Sequence, residues 1–329
     1  MNMIAPFRHD TPFHPPVPAP RASGLLDVAD GHGIYWEETG PSEGHPVVVL
    51  HGGPGGSIRP YYRRLLDPGR HRGILFDQRG CGKSQYSDPW AANTIDTLVQ
   101  DMEALRVHLG IERWVVCGGS WGSTLALHYA ETHPGRTAGL VVSGIFLGRE
   151  TDLHWWWHGA RHIFPDVYDA RDNWLPPPAE RTDPRKAFRD RILKGDPDTA
   201  GEAARMLVYS ETQLLDPMPP AIPDNPYTVD DTLMSYARVF AYYDAHDFFV
   251  GNNRILANAG RLAGIPGAII SGRGDMCTPP GGAWDLHQAW PDARFHLIAN
   301  AGHRWNDDVL GLALVPEISR VAEDAFGTG

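Results

Sequence analysis

Trp114-Val115-Val116-Cys117-Gly118-Gly119-Ser120-Trp121-Gly122-Ser123-Thr124-Leu125-Ala126-Leu127-His128-Tyr129-Ala130 is the stretch that decides the fold. Its first four residues form an apolar run suited to a buried strand, and the residues from Thr124 onward have the composition of a helix. Between them lies G-x-S-x-G, which predicts a sharp turn that projects Ser120 into a cleft. The small residues have a steric reason: a side chain at Gly118 or Gly122 would meet the neighbouring strand or helix, and the turn itself is strained.

Upstream, 24–37 reads as two short strands around Asp30-Gly31-His32-Gly33, and Val47-Val48-Val49-Leu50 as a central parallel strand ending at His51-Gly52-Gly53-Pro54-Gly55-Gly56. Gly73 to Phe76 is the next strand, leading into Asp77-Gln78-Arg79-Gly80-Cys81-Gly82-Lys83-Ser84. Ile95, Leu98, Met102, Leu105 and Leu109 recur at helical spacing, with Gly110 as the stop. A strand over Ala138 to Ser143 follows the elbow helix.

Downstream the character changes. Residues 148–260 hold helix-like segments, Trp155-Trp156-Trp157 and proline clusters at Pro176 to Pro178 and Pro217 to Pro223, without a convincing strand. Strands resume at Gly267 to Ser271 and Arg294 to Ile298, separated by a helix near Ala283 to Trp290 and followed by one from about Asp308 to Ala325. The expected class is α/β: an α/β-hydrolase fold with a mostly parallel doubly wound sheet and a mainly helical cap inserted before the last strands. The expected division is a Pro-rich tail over 1–23, a core over 24–147 and 261–329, and a cap over 148–260.

A serine hydroxyl is a weak nucleophile and needs a base, which in turn needs an orienting carboxylate. In this fold the chain order is serine, acid, histidine, the last two following late strands. Asp275 in Gly272-Arg273-Gly274-Asp275 and His303 in Asn300-Ala301-Gly302-His303 meet that order, whereas Asp307 and Asp308 lie beyond the histidine and are set aside. Oxyanion donors need backbone approach without side chains, and the backbone N–H groups of Gly53 and Trp121 are assigned to that task. The His51 to Gly56 loop is not a P-loop, because no Gly-Lys-Ser/Thr follows at the required spacing. Asp77 to Ser84 is read as structural, bracing the oxyanion loop with a local Asp77–Arg79 ion pair.

Composition narrows the partners. The 329-residue chain carries 40 acidic and 29 basic residues, a formal net charge of −11, and has no basic cluster interleaved with aromatics, which argues against nucleic acid. No apolar run reaches the roughly 20 residues of a membrane span, and Met1 to Ser23 lacks the apolar core of a secretory signal. Cys81, Cys117 and Cys277 match no metal spacing and fit reduced cysteines of a cytoplasmic protein. Oligomeric state is left open.

Taken together, H-G-G-P-G-G at 51–56, D-Q-R-G-C-G-K-S at 77–84, G-G-S-W-G-S-T-L-A-L at 118–127, G-I-F-L at 144–147, F-P-D at 164–166, G-R-G-D at 272–275, A-W-D-L-H at 283–287 and A-G-H at 301–303 resemble the proline iminopeptidase (prolyl aminopeptidase) family. The resemblance runs from about residue 25 to the C-terminus. It implies release of an N-terminal residue, typically proline, from a small peptide or amide, with no cofactor and no metal. Family members hold the substrate's free amine with cap glutamates, one shortly after a tryptophan and one after an Ala-Arg-Ile-like triplet.

Two departures stand out against that pattern. Ala237-Arg238-Val239 is followed by Phe240 where the family has a carboxylate. In Met206 to Thr212, Tyr209 replaces the tryptophan and Glu211 is displaced, leaving Asp244 and Asp247 nearby as sources of negative charge. Gly52, Tyr209, Glu211, Phe240 and Asp244 are therefore the candidate substrate contacts. A buried ammonium without an anionic partner is strongly disfavoured, so the alternative is a hydrolase acting on a neutral ester, amide or lactone. A non-catalytic ligand-binding protein on the same scaffold is the third possibility.

Overall fold

Sequence patterning partitions the strands between two buried faces. The computed structural model describes residues 17–176, 180–216, 225–251, 253–305 and 308–327. The strands are β1 (Ala22–Asp27), β2 (His32–Thr39), β3 (His45–Leu50), β4 (His71–Phe76), β5 (Gln85–Tyr86), β6 (Trp114–Ser120), β7 (Thr137–Ile145), β8 (Gly267–Gly272) and β9 (Arg294–Ile298). The helices are α1 (Ile95–His108), α2 (Trp121–Thr132), α3 (Glu150–Trp157), α4 (Pro165–Trp174), α5 (Pro184–Lys194), α6 (Pro197–Thr212), α7 (Asp231–Ala245), α8 (Arg254–Asn258), α9 (Pro280–Ala289) and α10 (Asp308–Phe326).

One nine-stranded sheet runs in the order β1-β2-β4-β3-β6-β7-β8-β9, with β5 against β2. The pairs from β4 through β9 are parallel, while β1/β2 and β2/β4 are antiparallel. Because alternate strand residues face opposite sides, Val48 and Leu50 join one core with Leu98, Met102 and Leu125, whereas Val47 and Val49 join another with Leu310, Leu314 and Ile318. Both faces being covered explains the continuous apolar runs. The fold is an α/β-hydrolase fold.

The expected strands and helices of the sheet region are present, with edges shifted by a few residues. β1 begins at Ala22, inside the stretch assigned to the tail, because Ala22–Asp27 alternates half-buried and exposed positions and pairs along β2. The rest of that tail to Pro16, together with Pro177, Pro178, Pro217 to Pro223 and Asp307, lies outside the described residues. Between β7 and β8 the described residues form helices α3 to α8 and no strand.

This topology sets the site. β3 and β6 are neighbours with Leu50 opposite Gly118, so the His51 to Gly56 loop and the elbow leave the same edge side by side. β8 and β9 are likewise adjacent, and the turns carrying Asp275 and His303 follow them. Carboxyl ends of parallel strands are where α/β folds gather their chemistry.

Candidate active site

Ser120 ends β6 with φ 58° and ψ −130°, a conformation that non-glycine residues rarely adopt. The close packing that holds it there is visible in its glycine neighbours. A Cβ on Gly118 would stand 2.0 Å from the Gly122 carbonyl oxygen, one on Gly122 would stand 2.5 Å from that of Leu50, and one on Gly119 would meet the Trp305 ring at 2.4 Å. Ser123 Oγ donates to the Ser120 carbonyl at 2.6 Å, tying the turn to the first turn of α2.

Asp275 is buried, and its carboxylate accepts from the backbone N–H groups of Cys277 (3.0 Å) and Thr278 (2.8 Å), from Thr278 Oγ (2.9 Å), and from His303 Nδ1 (2.8 Å). Four donors fix one rotamer and keep a buried acceptor satisfied. Burial alone would lower the His303 pKa, but the charge and hydrogen bond of Asp275, with Glu211 beyond, raise it above its ordinary value. Nδ1–H to the carboxylate leaves Nε2 as the free basic nitrogen. Ser120 and His303 line the same cavity, and Ser120 Oγ makes no hydrogen bond among the described residues. Such contacts commonly tighten only once substrate is bound.

The glycine loop lies against Ser120. A Cβ on Gly52 would stand 3.1 Å from Ser120 Cβ, and Gly53, at φ 122°, takes a conformation reserved for glycine. His51 and Gln78 brace this loop. Gln78 donates from its backbone to His51 Nε2 (3.0 Å) and from its side chain to the His51 carbonyl (2.9 Å), while its Oε1 accepts from Trp121 Nε1 (2.9 Å). One side chain thus couples the two segments that carry Gly53 and Trp121. Neither Gln78 nor Thr278 was singled out for a role in the site from sequence. D-Q-R-G following a strand was the available signal for the first, but its partners are fixed only by the tertiary fold.

The expected Asp77–Arg79 pair does not form. Asp77 Oδ1 accepts from the backbone N–H of Ile58 at 2.6 Å and its Oδ2 from the backbone N–H of Lys83 at 2.8 Å, while Arg79 forks onto Asp101 of α1 at 2.7 and 2.9 Å. Both residues lie beyond the end of β4, in the turn that follows it, where the same-face alternation of a strand no longer holds, so Asp77 ties loops and Arg79 ties α1.

Two cavities meet at the serine, sharing Gly53, Ser120 and Glu211. The first is narrow, about 40 Å³, and is lined by Phe146, Leu153, Trp156, Trp157, Phe240 and Phe248, with Cys277 and Thr278. Its aromatic walls pack mutually, Trp156 to Phe240 at 5.5 Å and Phe146 to Phe248 at 4.9 Å between ring centres. The second is open and polar, lined by Gly52, Arg59, Tyr61, Tyr62, Tyr236, His303 and Arg304 among others.

Of the candidate substrate contacts, Gly52, Glu211 and Phe240 line these cavities. Tyr209 and Asp244 do not. Asp244 is buried on α7, where both its oxygens accept from Arg185 Nε at 2.9 and 3.0 Å. Burial nonetheless raises its pKa to about 6, against the pull of Arg185. Asp247 is exposed and also pairs with Arg185. Asp244 and Asp247 are thus committed to a structural cluster, because the α7 face carrying Asp244 turns toward α5 rather than toward the serine. Glu211 stands at the junction of the cavities, its carboxylate accepting from Tyr236 Oη at 2.6 Å. Burial lifts its pKa, opposed by Tyr236, His303 and Arg304.

Comparison with known proteins adds the following. A family profile for the alpha/beta hydrolase fold matches residues 45–306. The chain is 42% identical over 299 residues to a proline iminopeptidase of Xylella fastidiosa (strain 9a5c), covering 88% of this chain and 92% of that one. It is 39% identical over 300 residues to a proline iminopeptidase of Arabidopsis thaliana, covering 90% and 78%. Among solved structures, a proline iminopeptidase of Mycobacterium smegmatis shares the fold, with a TM-score of 0.59 at 20% identity over 92% of this chain and 98% of that one.

Proposed function

We infer the reaction from this premise: the chain belongs to the proline iminopeptidase family of α/β-hydrolases and is a serine hydrolase of the prolyl aminopeptidase type. The proposed substrate is a small peptide or amide with a free N-terminal residue, typically proline. Ser120 Oγ attacks the acyl carbon as its proton passes to His303 Nε2, and the N–H groups of Gly53 and Trp121 receive the oxyanion. The C–N bond then breaks while His303 returns the proton to the departing amine. Water, deprotonated by the same imidazole, attacks the acyl-Ser120 ester and releases the free residue. Asp275 orients His303 and stabilises its cationic form.

The observation that carries this assignment is the 2.8 Å contact between His303 Nδ1 and Asp275, with Ser120 and His303 facing one cavity. Glu211 is the carboxylate at that cavity for the substrate ammonium, replacing the charge absent at Phe240. Residues 148–260 act as a cap whose aromatic side chains bound the acyl pocket. A cytoplasmic peptidase is the matching compartment, supported by three free, buried cysteines. No helix among the described residues is long and apolar enough to cross a membrane.

Ser120→Ala abolishes turnover of a proline arylamide while leaving the circular dichroism spectrum intact; retained activity overturns the nucleophile assignment. A second reading, hydrolysis of a neutral ester, amide or lactone, is favoured by the aromatic lining and by Phe240. Rates on a proline arylamide, its N-acetylated twin and a short aryl ester separate the two. An aminopeptidase turns over the free amine far faster than the acetylated compound, and equal rates would favour the neutral-substrate reading.

A further inference from the structure

The two cavities at Ser120 are not equivalent. His303 lines only the open, polar one, while the aromatic one contains Thr278 and Cys277 in its place. The imidazole that donates a proton to the departing amine must face that amine, so the polar cavity is the leaving-group side and the aromatic one receives the acyl residue.

Two arginines stand on the leaving-group side, with no part in acyl transfer. Arg59 follows the glycine loop, is exposed, and makes no ion pair among the described residues. Arg304 directly follows His303 and spends only its Nε on Asp216 at 2.9 Å, leaving its two terminal nitrogens without a partner among the described residues. Their charges reach the cavity wall: that of Arg59 acts on Tyr61, Tyr62 and Tyr236, and that of Arg304 on Tyr61, Glu211 and His303. Glu211, the acidic residue of this lining, is engaged by Tyr236 and, in the function proposed above, by the substrate ammonium, so its charge is offset before an incoming anion meets it.

A guanidinium offers a planar fork that matches a carboxylate, and such charge-assisted pairs are among the stronger polar contacts. The leaving group of a dipeptide is a free amino acid, whose carboxylate lies one residue past the scissile nitrogen. We propose that Arg59 and Arg304 form a carboxylate-recognising leaving-group subsite, so that free-acid dipeptides are preferred to the same peptides with a blocked C-terminus. This rests on the aminopeptidase assignment above.

The test compares kcat/KM for Pro-Ala, Pro-Ala amide and a proline arylamide in three purified proteins: the natural chain, an Arg59→Gln/Arg304→Gln double variant, and an Arg59→Lys/Arg304→Lys double variant. The natural chain favours the acid over the amide by about tenfold or more, as one well-formed charged contact implies. The ratio falls toward one in the glutamine variant, chiefly through KM, and the lysine variant recovers part of it. A ratio near one in the natural chain, while the arylamide is cleaved, overturns the subsite alone. A ratio unchanged by the glutamine pair does the same. If none of the three free-amine substrates is cleaved, the aminopeptidase assignment fails and the subsite falls with it.

Discussion

His303 is where competing forces are most finely set. Burial opposes its protonated form, and the Asp275 carboxylate at 2.8 Å overrides burial, so the pKa stands above the model-peptide value of 6.5. With His303 as the proposed general base, turnover needs the neutral imidazole, so the acidic limb of the kcat/KM profile should have its midpoint above 6.5. Asp275→Asn removes the raising charge but keeps the burial. That limb should move to lower pH while kcat drops by roughly 10⁴-fold, since the amide no longer enforces the productive tautomer. A limb that stays in place would deny Asp275 its part. Gly144 tests the same ring sterically. It sits at φ 52°, and a Cβ there would stand 2.9 Å from His303 Cε1. Gly144→Ala should lower kcat at least tenfold by displacing the imidazole, with circular dichroism unchanged; a wild-type kcat would place the ring elsewhere. Ser120, Asp275 and His303 were legible because each follows an apolar run in a fixed chain order. Thr278 was not, because its hydroxyl finds Asp275 only through the shape of one turn.

At the scale of elements, apolar periodicity was readable and the pairing of charges was not. Ile95, Leu98, Met102 and Leu105 are buried along α1 as their spacing implied. Asp77 and Arg79, by contrast, were matched by proximity in sequence, while the partners of Arg79 are Asp101, on that same helix, and Asp30. Asp244 misled for the same reason, since the arginine that neutralises it comes from α5. A further charge hidden by this limit is Glu131 near the end of α2, buried with both carboxylate oxygens lacking a hydrogen-bond partner. Burial raises its pKa from 4.5 to about 8, against the weaker pull of Arg254 and Arg261. Between those values the folded chain holds a proton that the unfolded chain has released, so this group's contribution to stability declines as pH climbs through that window. Glu131→Gln, which mimics the protonated form, should raise Tm by a few degrees at pH 8 and change little near pH 4.5, the ordinary carboxyl value. Thermal melts at both pH values decide it, and equal shifts at both would remove the ionisation from the account.

For the whole molecule, the question is whether the helical segment over the site melts apart from the sheet beneath it. One hydrophobic cluster answers it, because Leu50, Trp121 and Leu125 of the sheet region belong to the same buried group as Trp156, Phe188, Leu207 and Phe240 of the helical segment. Polar ties reinforce the join. Tyr243 Oη donates to Asn93 Oδ1 at 2.7 Å, Trp155 Nε1 donates to the Met276 carbonyl at 2.8 Å, and the backbone N–H of His303 donates to the Leu215 carbonyl at 2.8 Å. Through that last bond the histidine's own backbone leans on the segment above it, so loosening the segment disturbs the site. Calorimetry should therefore show a single cooperative transition. Tyr243→Phe leaves Asn93 Oδ1 buried without its donor, at a cost of about 1–3 kcal/mol. Because the cluster is shared, that cost should lower the whole transition as a unit rather than split off an early one. Two resolved peaks in the variant, with the sheet peak unmoved, would show that the segments unfold independently and that their common core does not bind them into one cooperative unit.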